Sequence, residues 1–522
     1  MSATSTPRFP LREPLLRVQV SNGPSPAGSP RLVPGSPRSG WIVSRKVVGF
    51  IVTLLAGLVF CTFIYTTVSF YSVYGDSSSS TAVPSSSSSS SSASSASTAV
   101  PSSALAATRP GPDDRTRASS RQARQDAKVF HRCQHDPKAK LPDLKKVYSW
   151  RARGRRAHDG ISVLTQLSVE RLSMLRAQCR VWPAELNAVV YVPLMKDFGA
   201  ISADVPALNG TSLTDIAHLV DQFYQDLQSD PSGHCRLNME LVVEEFDDWE
   251  DPTWSLYPTN SLRNRALTMA KSEAVLSLDV DFLPSQEIAS MFNGRAYEDL
   301  MRVLDQKTAY VLPAFETSNS GTQGVLLANK VATEGKEAML SAFSGGDAVG
   351  FQVEQYYAGH GPDDFPRWAS AGEPYPIEYA KGYEPYVLMA RRFVPWYDER
   401  MRGYSRNKIV QVNLLAEQLG VKLLGHHRAF VVHSPHPKAS NFKATKTSGQ
   451  WETLLDLYIH IRRDISLGEF VPVVGFAENK KLCGATVSAA DLRARIRKKL
   501  TAKRAKREAQ KEAKLRKQAA GG

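Results

Sequence analysis

The segment Val47–Gly75 (VVGFIVTLLAGLVFCTFIYTTVSFYSVYG) contains no charged residue. About 20 predominantly apolar residues are enough for a helix to cross the hydrocarbon of a bilayer, and this run is longer. It also begins too far from the N-terminus, and runs too long, for a cleaved signal peptide. The reading is a membrane-spanning signal anchor over residues 47–75. On its N-terminal side stand Arg8, Arg12, Arg17, Arg31, Arg38, Arg45 and Lys46 against Glu13 alone, while the other side offers Asp76 and no basic residue before Arg109. Positive flanks stay cytosolic, which puts residues 1–46 in the cytosol and everything after Gly75 in a lumen. Residues 1–46 are rich in Pro, Ser and Gly without apolar periodicity and are expected to be a disordered tail.

Residues 76–130 are expected to form a stem. Its first half is dominated by serine, and the phrase STAVPSS occurs twice, at Ser80–Ser86 and Ser97–Ser103. Such composition resists packing and holds a folded domain off the bilayer as a spacer. An oxidising compartment gives the cysteines meaning. With Cys61 inside the span, Cys133, Cys179, Cys235 and Cys483 can form two disulfides in any of three pairings, and the absence of a CxxC pair argues against zinc. Asn209-Gly210-Thr211 is an N-glycosylation sequon and agrees with the lumenal side.

The formal net charge of +14 raises the question of nucleic acid, but its distribution answers it. From Asp491 to Lys517 thirteen Lys or Arg face three acids, so most of the excess sits in a C-terminal tail, residues 481–522, and the remainder of the chain is nearly neutral. A basic, Ala-rich segment free of Gly and Pro reads as a solvated helix or a disordered tail, and nucleic acid is absent from a lumen.

Folded patterning occupies residues 131–480. Leu186–Leu194 and Leu237–Val243 read as buried strands, Ala274–Leu278 as a third, and Asn260–Ala270 as a helix with Leu262, Ala266 and Met269 at helical spacing. Strands alternating with helices predict an α/β fold: a mostly parallel sheet flanked by helices, with its site at the strand C-termini.

The run AVLSLDVDFLPS (Ala274–Ser285) carries the chemistry. An apolar strand stops at Asp279, and Asp281 follows two residues later; on an extended backbone both carboxylates emerge on one side and can share a divalent cation. Hard oxygen ligands suit Mg²⁺ or Mn²⁺, which neutralises a departing nucleoside diphosphate. RAFVVHSPH (Arg428–His436) ends a second apolar run at His433, expected to complete the ligand set, with His436 in a lesser role.

At this point the segments YPTNSLRNRAL (Tyr257–Leu267), LSLDVDFLPS (Leu276–Ser285), VLPAFE (Val311–Glu316), YEPYVLMARRFVPWYDERMRGYSRNK (Tyr383–Lys408) and AFVVHSPH (Ala429–His436) resemble glycosyltransferase family 49. The resemblance covers about residues 186–438. It implies a GT-A-like fold and inverting, Mn²⁺-dependent (or Mg²⁺-dependent) transfer from a UDP-sugar, with Asp279, Asp281 and His433 as metal ligands. It implies donor contacts from Arg263, Asn264 and Asp279, and from Asn407 and Lys408 after a glycine-aromatic turn in which Ser405 stands where the family usually has glycine. Glu384 ranks first as the base that takes the acceptor proton, ahead of Glu316, Asp398 and Glu399. The implied setting is the Golgi membrane, single-pass type II, with a glycan or glycoprotein acceptor and a complex with a second glycosyltransferase as a further partner. Glucuronic acid is the leading donor sugar; the alternatives are N-acetylglucosamine, or a catalytically silent member that binds glycan or acts as a scaffold.

Overall fold

The computed structural model describes residues 121–520, apart from 123, 127, 153–159, 203, 231–234, 293, 405, 438–440 and 476–481. The expected tail, anchor and most of the stem, and Ser405, lie outside the described residues. No helix among the described residues is long and apolar enough to cross a membrane.

The strands are β1 Arg132–His135, β2 Lys145–Trp150, β3 Ile161–Ser168, β4 Glu185–Met195, β5 Gly199–Ala200, β6 Arg236–Phe246, β7 Ala274–Ser277 and β8 Phe282–Pro284. They continue with β9 Thr308–Leu312, β10 Ala314–Thr317, β11 Ala348–Gly350, β12 Tyr375–Ile377, β13 Tyr386–Ala390, β14 Lys422–Gly425, β15 Val431–His433 and β16 Ala485–Ser488. The main sheet runs β12-β14-β9-β13-β7-β3-β4-β6-β2, with β5 hairpinned onto β4. Its centre, β7-β3-β4-β6, is parallel throughout, and β13 lies antiparallel between β7 and β9. This is the expected α/β architecture. The strand β4 is a nearly unbroken apolar run because helices cover both faces of a parallel sheet, leaving no solvated side to alternate toward. A second sheet, β11-β10-β15-β8, packs Phe315, Phe430 and Val432 against the helices Thr322–Glu334 and Lys336–Ser344.

The three strands and the helix expected from the apolar pattern are present as β4, β6, β7 and Thr259–Met269. That helix is buried almost all round although Thr259, Asn260, Ser261, Arg263 and Asn264 are polar, so its polar face is satisfied inside the protein. Two disulfides form, Cys133–Cys483 and Cys179–Cys235. The first joins segments 350 residues apart in sequence. It is reinforced by the parallel pairing of β1 with β16. After β16 the helix Ala489–Ala520 seats Leu492 and Ile496 on Val471 before leaving the body, so the folded domain extends past residue 480.

Candidate active site and metal centre

Because β7, β3, β4 and β6 are parallel, their C-terminal ends share one edge, and β7 delivers Asp279 there. The chain does not stay extended. Phe282 N–H donates to Asp279 O at 3.0 Å, closing a turn, and the buried Gln178 amide donates to Asp279 O and Phe282 O at 3.2 and 2.8 Å. On this turn the two carboxylates take different side-chain partners, yet the Asp279 charge still acts on Asp281.

Asp279 faces cations. Arg263 Nη2 donates to its Oδ1 at 2.8 Å, Tyr386 OH to its Oδ2 at 2.9 Å, and Lys408 Nζ stands 3.2 Å from Oδ2. Burial alone would raise the carboxyl; Lys408 and Arg263 overcome it and hold Asp279 well below the usual carboxylate range. The Lys408 ammonium also lies 3.8 Å from the centroid of the Tyr386 ring. Asn407 Oδ1 accepts from Arg263 Nη1 at 2.9 Å, so the Asn407–Lys408 pair opens a helix (Asn407–Asn413) whose first residues fix Arg263 and cap Asp279. The preceding turn is anchored by Arg402, which donates to both Glu244 oxygens at 2.7 and 2.8 Å. Gly403 has φ +66°, and a Cβ there would meet Thr445 Oγ1 at 2.5 Å, so only glycine fits.

Asp281 faces histidines. His436 Nε2 lies 3.0 Å and His433 Nε2 3.9 Å from Asp281 Oδ2, with Arg171 Nη1 at 3.5 Å. One ligand atom from each of Asp281, His433 and His436 can be chosen so that all lie within 4.8 Å of one another, and this is the metal-ligand cluster found among the described residues; Asp279 stands outside it. Packed against Phe282 and Phe351, His433 is pushed down to about 4 by burial, so its imidazole is neutral and keeps a lone pair for a metal. His436 is raised, chiefly by its hydrogen bond to Asp281. Asp281 Oδ1 is buried without a hydrogen-bond partner. A neutral imidazole, an unmet carboxylate oxygen and a second histidine fit a divalent cation such as Mn²⁺.

The remaining expected residues separate. Asn264 does not face the donor side: it is fully buried, bonded through both amide groups to the Tyr397 backbone and through Nδ2 to Glu399. Asp398 is locked by Arg400, and Glu399 accepts from Asn264 and the Gly475 N–H, so both serve packing. Glu316 sits in register with His433 and accepts from the Gln352 N–H at 2.8 Å. Glu384 is half-buried two residues before Tyr386, and after burial its charge and that of Asp279 both raise the Tyr404 hydroxyl. Sequence reasoning missed Arg171, Gln178 and Tyr386. Arg171 ends the 3-10 turn Val169–Arg171 that follows β3, and a cation just beyond a buried parallel strand is the signal that would have found it.

The family model described as "Glycosyl-transferase for dystroglycan" matches residues 160–456. The xylosyl- and glucuronyltransferase LARGE2 of Homo sapiens is 31% identical over 295 residues, 56% of this chain and 35% of the relative. The xylosyl- and glucuronyltransferase LARGE1 of Danio rerio is 27% identical over 298 residues, covering 56% and 34%. The chain thus spans about a third of the length of the curated relatives it matches. Among solved structures, S. aureus TarS 1–349 in complex with UDP-GlcNAc is 12% identical over 62% of this chain and 70% of that one, with a TM-score of 0.28. GalNAc-T7 with UDP, GalNAc and Mn²⁺ is 13% identical over 63% and 54%, with a TM-score of 0.27. Likenesses this distant carry no argument about the site.

Proposed function

The chain belongs to glycosyltransferase family 49, the family of glycosyl-transferases for dystroglycan, and from that premise we propose that it moves a sugar from a UDP-sugar to a glycan acceptor with inversion. The observation that carries the reading is the pairing, at one edge of the parallel strands, of the Asp281–His433–His436 cluster with the Arg263–Asp279–Lys408 group.

Asp281, His433 and His436 would hold a divalent cation, Mn²⁺ or Mg²⁺, and the bound ion would neutralise charge on the departing diphosphate. Beside it, two cations share one carboxylate, so Arg263 and Lys408 retain a net positive charge toward the donor. Asp279 positions both, and would add a carboxylate oxygen to the cation, as the motif leads one to expect. Arg171 adds a third cation at the mouth of β3. Water and stray nucleophiles are limited by Phe282, Phe351 and Tyr386, which wall the cluster. Glu384 is proposed to take the proton of the acceptor hydroxyl as its oxygen attacks the anomeric carbon from the face opposite the diphosphate.

Glucuronic acid is the proposed donor sugar, supported by the activities that name the relatives, xylosyl and glucuronyl transfer; the latter sugar adds a carboxylate that a site with three cations suits. The uncharged Val47–Gly75 run and its basic N-terminal flank support a Golgi type II setting. Full-chain protein incubated with a panel of UDP-sugars and Mn²⁺, with and without glycan acceptors, tests the reading: Mn²⁺-dependent UDP release supports it, and a folded protein releasing no UDP from any donor would instead favour a silent, glycan-binding member.

A further inference from the structure

The helix Ala489–Ala520 holds the largest concentration of charge in the chain, and nothing in the proposed chemistry uses it. Its first turns dock: Leu492 and Ile496 are buried on Val471, Leu500 packs beside them, and Lys499 pairs with Glu469 at 2.9 Å. From residue 501 to 516 every residue is exposed. At about 100° per residue, Lys503, Arg504, Lys506, Arg507, Lys511 and Lys514 fall within about 160° of arc, and Leu492, Ile496 and Leu500 fall within that same arc. Glu508 and Glu512 lie on the opposite half. The face that grips the domain therefore continues, once the helix overhangs, as a row of cations looking toward the domain's flank.

The row is costly for the helix itself. Residues 503/506, 503/507, 504/507, 507/511 and 511/514 are five like-charge pairs at i,i+3 or i,i+4, each destabilising by roughly 0.2–0.5 kcal/mol. Glu508 neighbours Arg504 and Lys511, but no acid lies three or four residues from Lys503, Lys506, Arg507 or Lys514. Counter-charge for these four has to come from outside the helix. From Lys503 to Lys514 the axis advances about 16 Å, so six cations present one charge per roughly 3 Å.

We propose that this stripe docks a linear, densely anionic glycan laid along the overhang, which rests on the reading that the enzyme acts on glycans. A bilayer fits poorly: a plane touching the stripe would cut through the domain on the same side, and Leu515, the one large apolar residue beyond Leu500 among the described residues, lies off the stripe, leaving nothing to insert. A linear polymer can run in the angle between helix and flank.

The test uses full-chain protein in detergent and fluorescently labelled heparin as the probe, read by anisotropy. Wild type binds with an affinity that falls steeply with salt. R507Q/K511Q weakens binding on the order of tenfold, whereas K498Q/R516Q, which removes the same charge from the opposite half, changes it less than about twofold. Equal losses from the two doubles, absence of heparin binding, or capture by phosphatidylserine vesicles in preference to heparin would overturn the proposal. The transferase reading is separable: D281N still binds heparin, and R507Q/K511Q still releases UDP with Mn²⁺.

Discussion

His436 Nε2 lies 3.0 Å from Asp281 Oδ2, closer than His433 Nε2 at 3.9 Å. The two histidines therefore converge on one carboxylate from opposite electrostatic states, His433 neutral through burial and His436 drawn toward protonation by its hydrogen bond. Loss of either should raise the Mn²⁺ concentration that supports activity, with excess Mn²⁺ restoring part of the rate because water can replace a neutral ligand. UDP release titrated against Mn²⁺ for H433A and H436A checks this; an H436A titration superimposing on wild type would remove His436 from the site.

Arg263 and Lys408 both lean on Asp279, and Arg263 is buried. R263M leaves the part-exposed Asp279 carboxylate with one cation fewer and should cost about 1–3 kcal/mol of stability, visible as a lowered melting temperature. K408M, nearer solvent, should keep the fold and weaken UDP binding by about tenfold. Calorimetric titration with UDP separates the two effects; unchanged UDP affinity in K408M would place Lys408 outside the donor site.

Glu399 gives stability a pH dependence. Burial pushes its carboxyl up to about 7, against the hydrogen bonds from Asn264 and Gly475, so the folded state holds a proton that the unfolded chain releases near its ordinary value. Stability contributed by this group is present below about 4.5 and is lost as pH rises toward 7. His426, pushed down to about 3 by burial, acts with the opposite sign below its ordinary value, so the comparison must be made against E399Q rather than on wild type alone. The melting temperature of wild type relative to E399Q should fall between pH 5 and 7.5; parallel curves would show Glu399 ionised throughout.

The C-terminal boundary can be cut in two places with different results. Ending the chain after Leu500 keeps β16, the Cys133–Cys483 bond and the docked turns, and should leave both melting temperature and UDP release unchanged. Ending after Gly484 keeps the disulfide but strips β16 and the Leu492–Ile496 contacts, and should lower the melting temperature. Equal stability of the two would mean that the domain closes at residue 484.

Much of this was legible in the sequence where one local pattern decides. The apolar runs at β4, β6 and β7 announce themselves because a strand covered on both faces needs no polar alternation, and the acids after β7 mark its site edge. Partner choice was not legible. Spacing placed Asp279 and Asp281 on one side of an extended strand, but Gln178, remote in sequence, helps fold that segment into a turn on which each acid meets its own side-chain partners. Asn264 read as a donor contact because the family resemblance carries it beside Arg263; the Tyr397 backbone, 133 residues downstream, decides that it faces inward. The disulfide pairing likewise depended on neighbours that only the assembled fold supplies, β1 beside β16 for Cys133–Cys483 and the helix Leu172–Val181 beside the start of β6 for Cys179–Cys235.

The central claim is that Asp281, with its two histidines, builds the metal centre of a UDP-sugar transferase. Measuring UDP release by wild type and D281N across a Mn²⁺ titration, with UDP-glucuronate and other UDP-sugars as donors, tests it most directly. The account predicts Mn²⁺-dependent release by wild type, highest with UDP-glucuronate, and a drop of about two to three orders of magnitude in folded D281N, as expected when several kcal/mol of leaving-group stabilisation are lost. Release that persists in D281N, or that is indifferent to chelation of the metal, would contradict it.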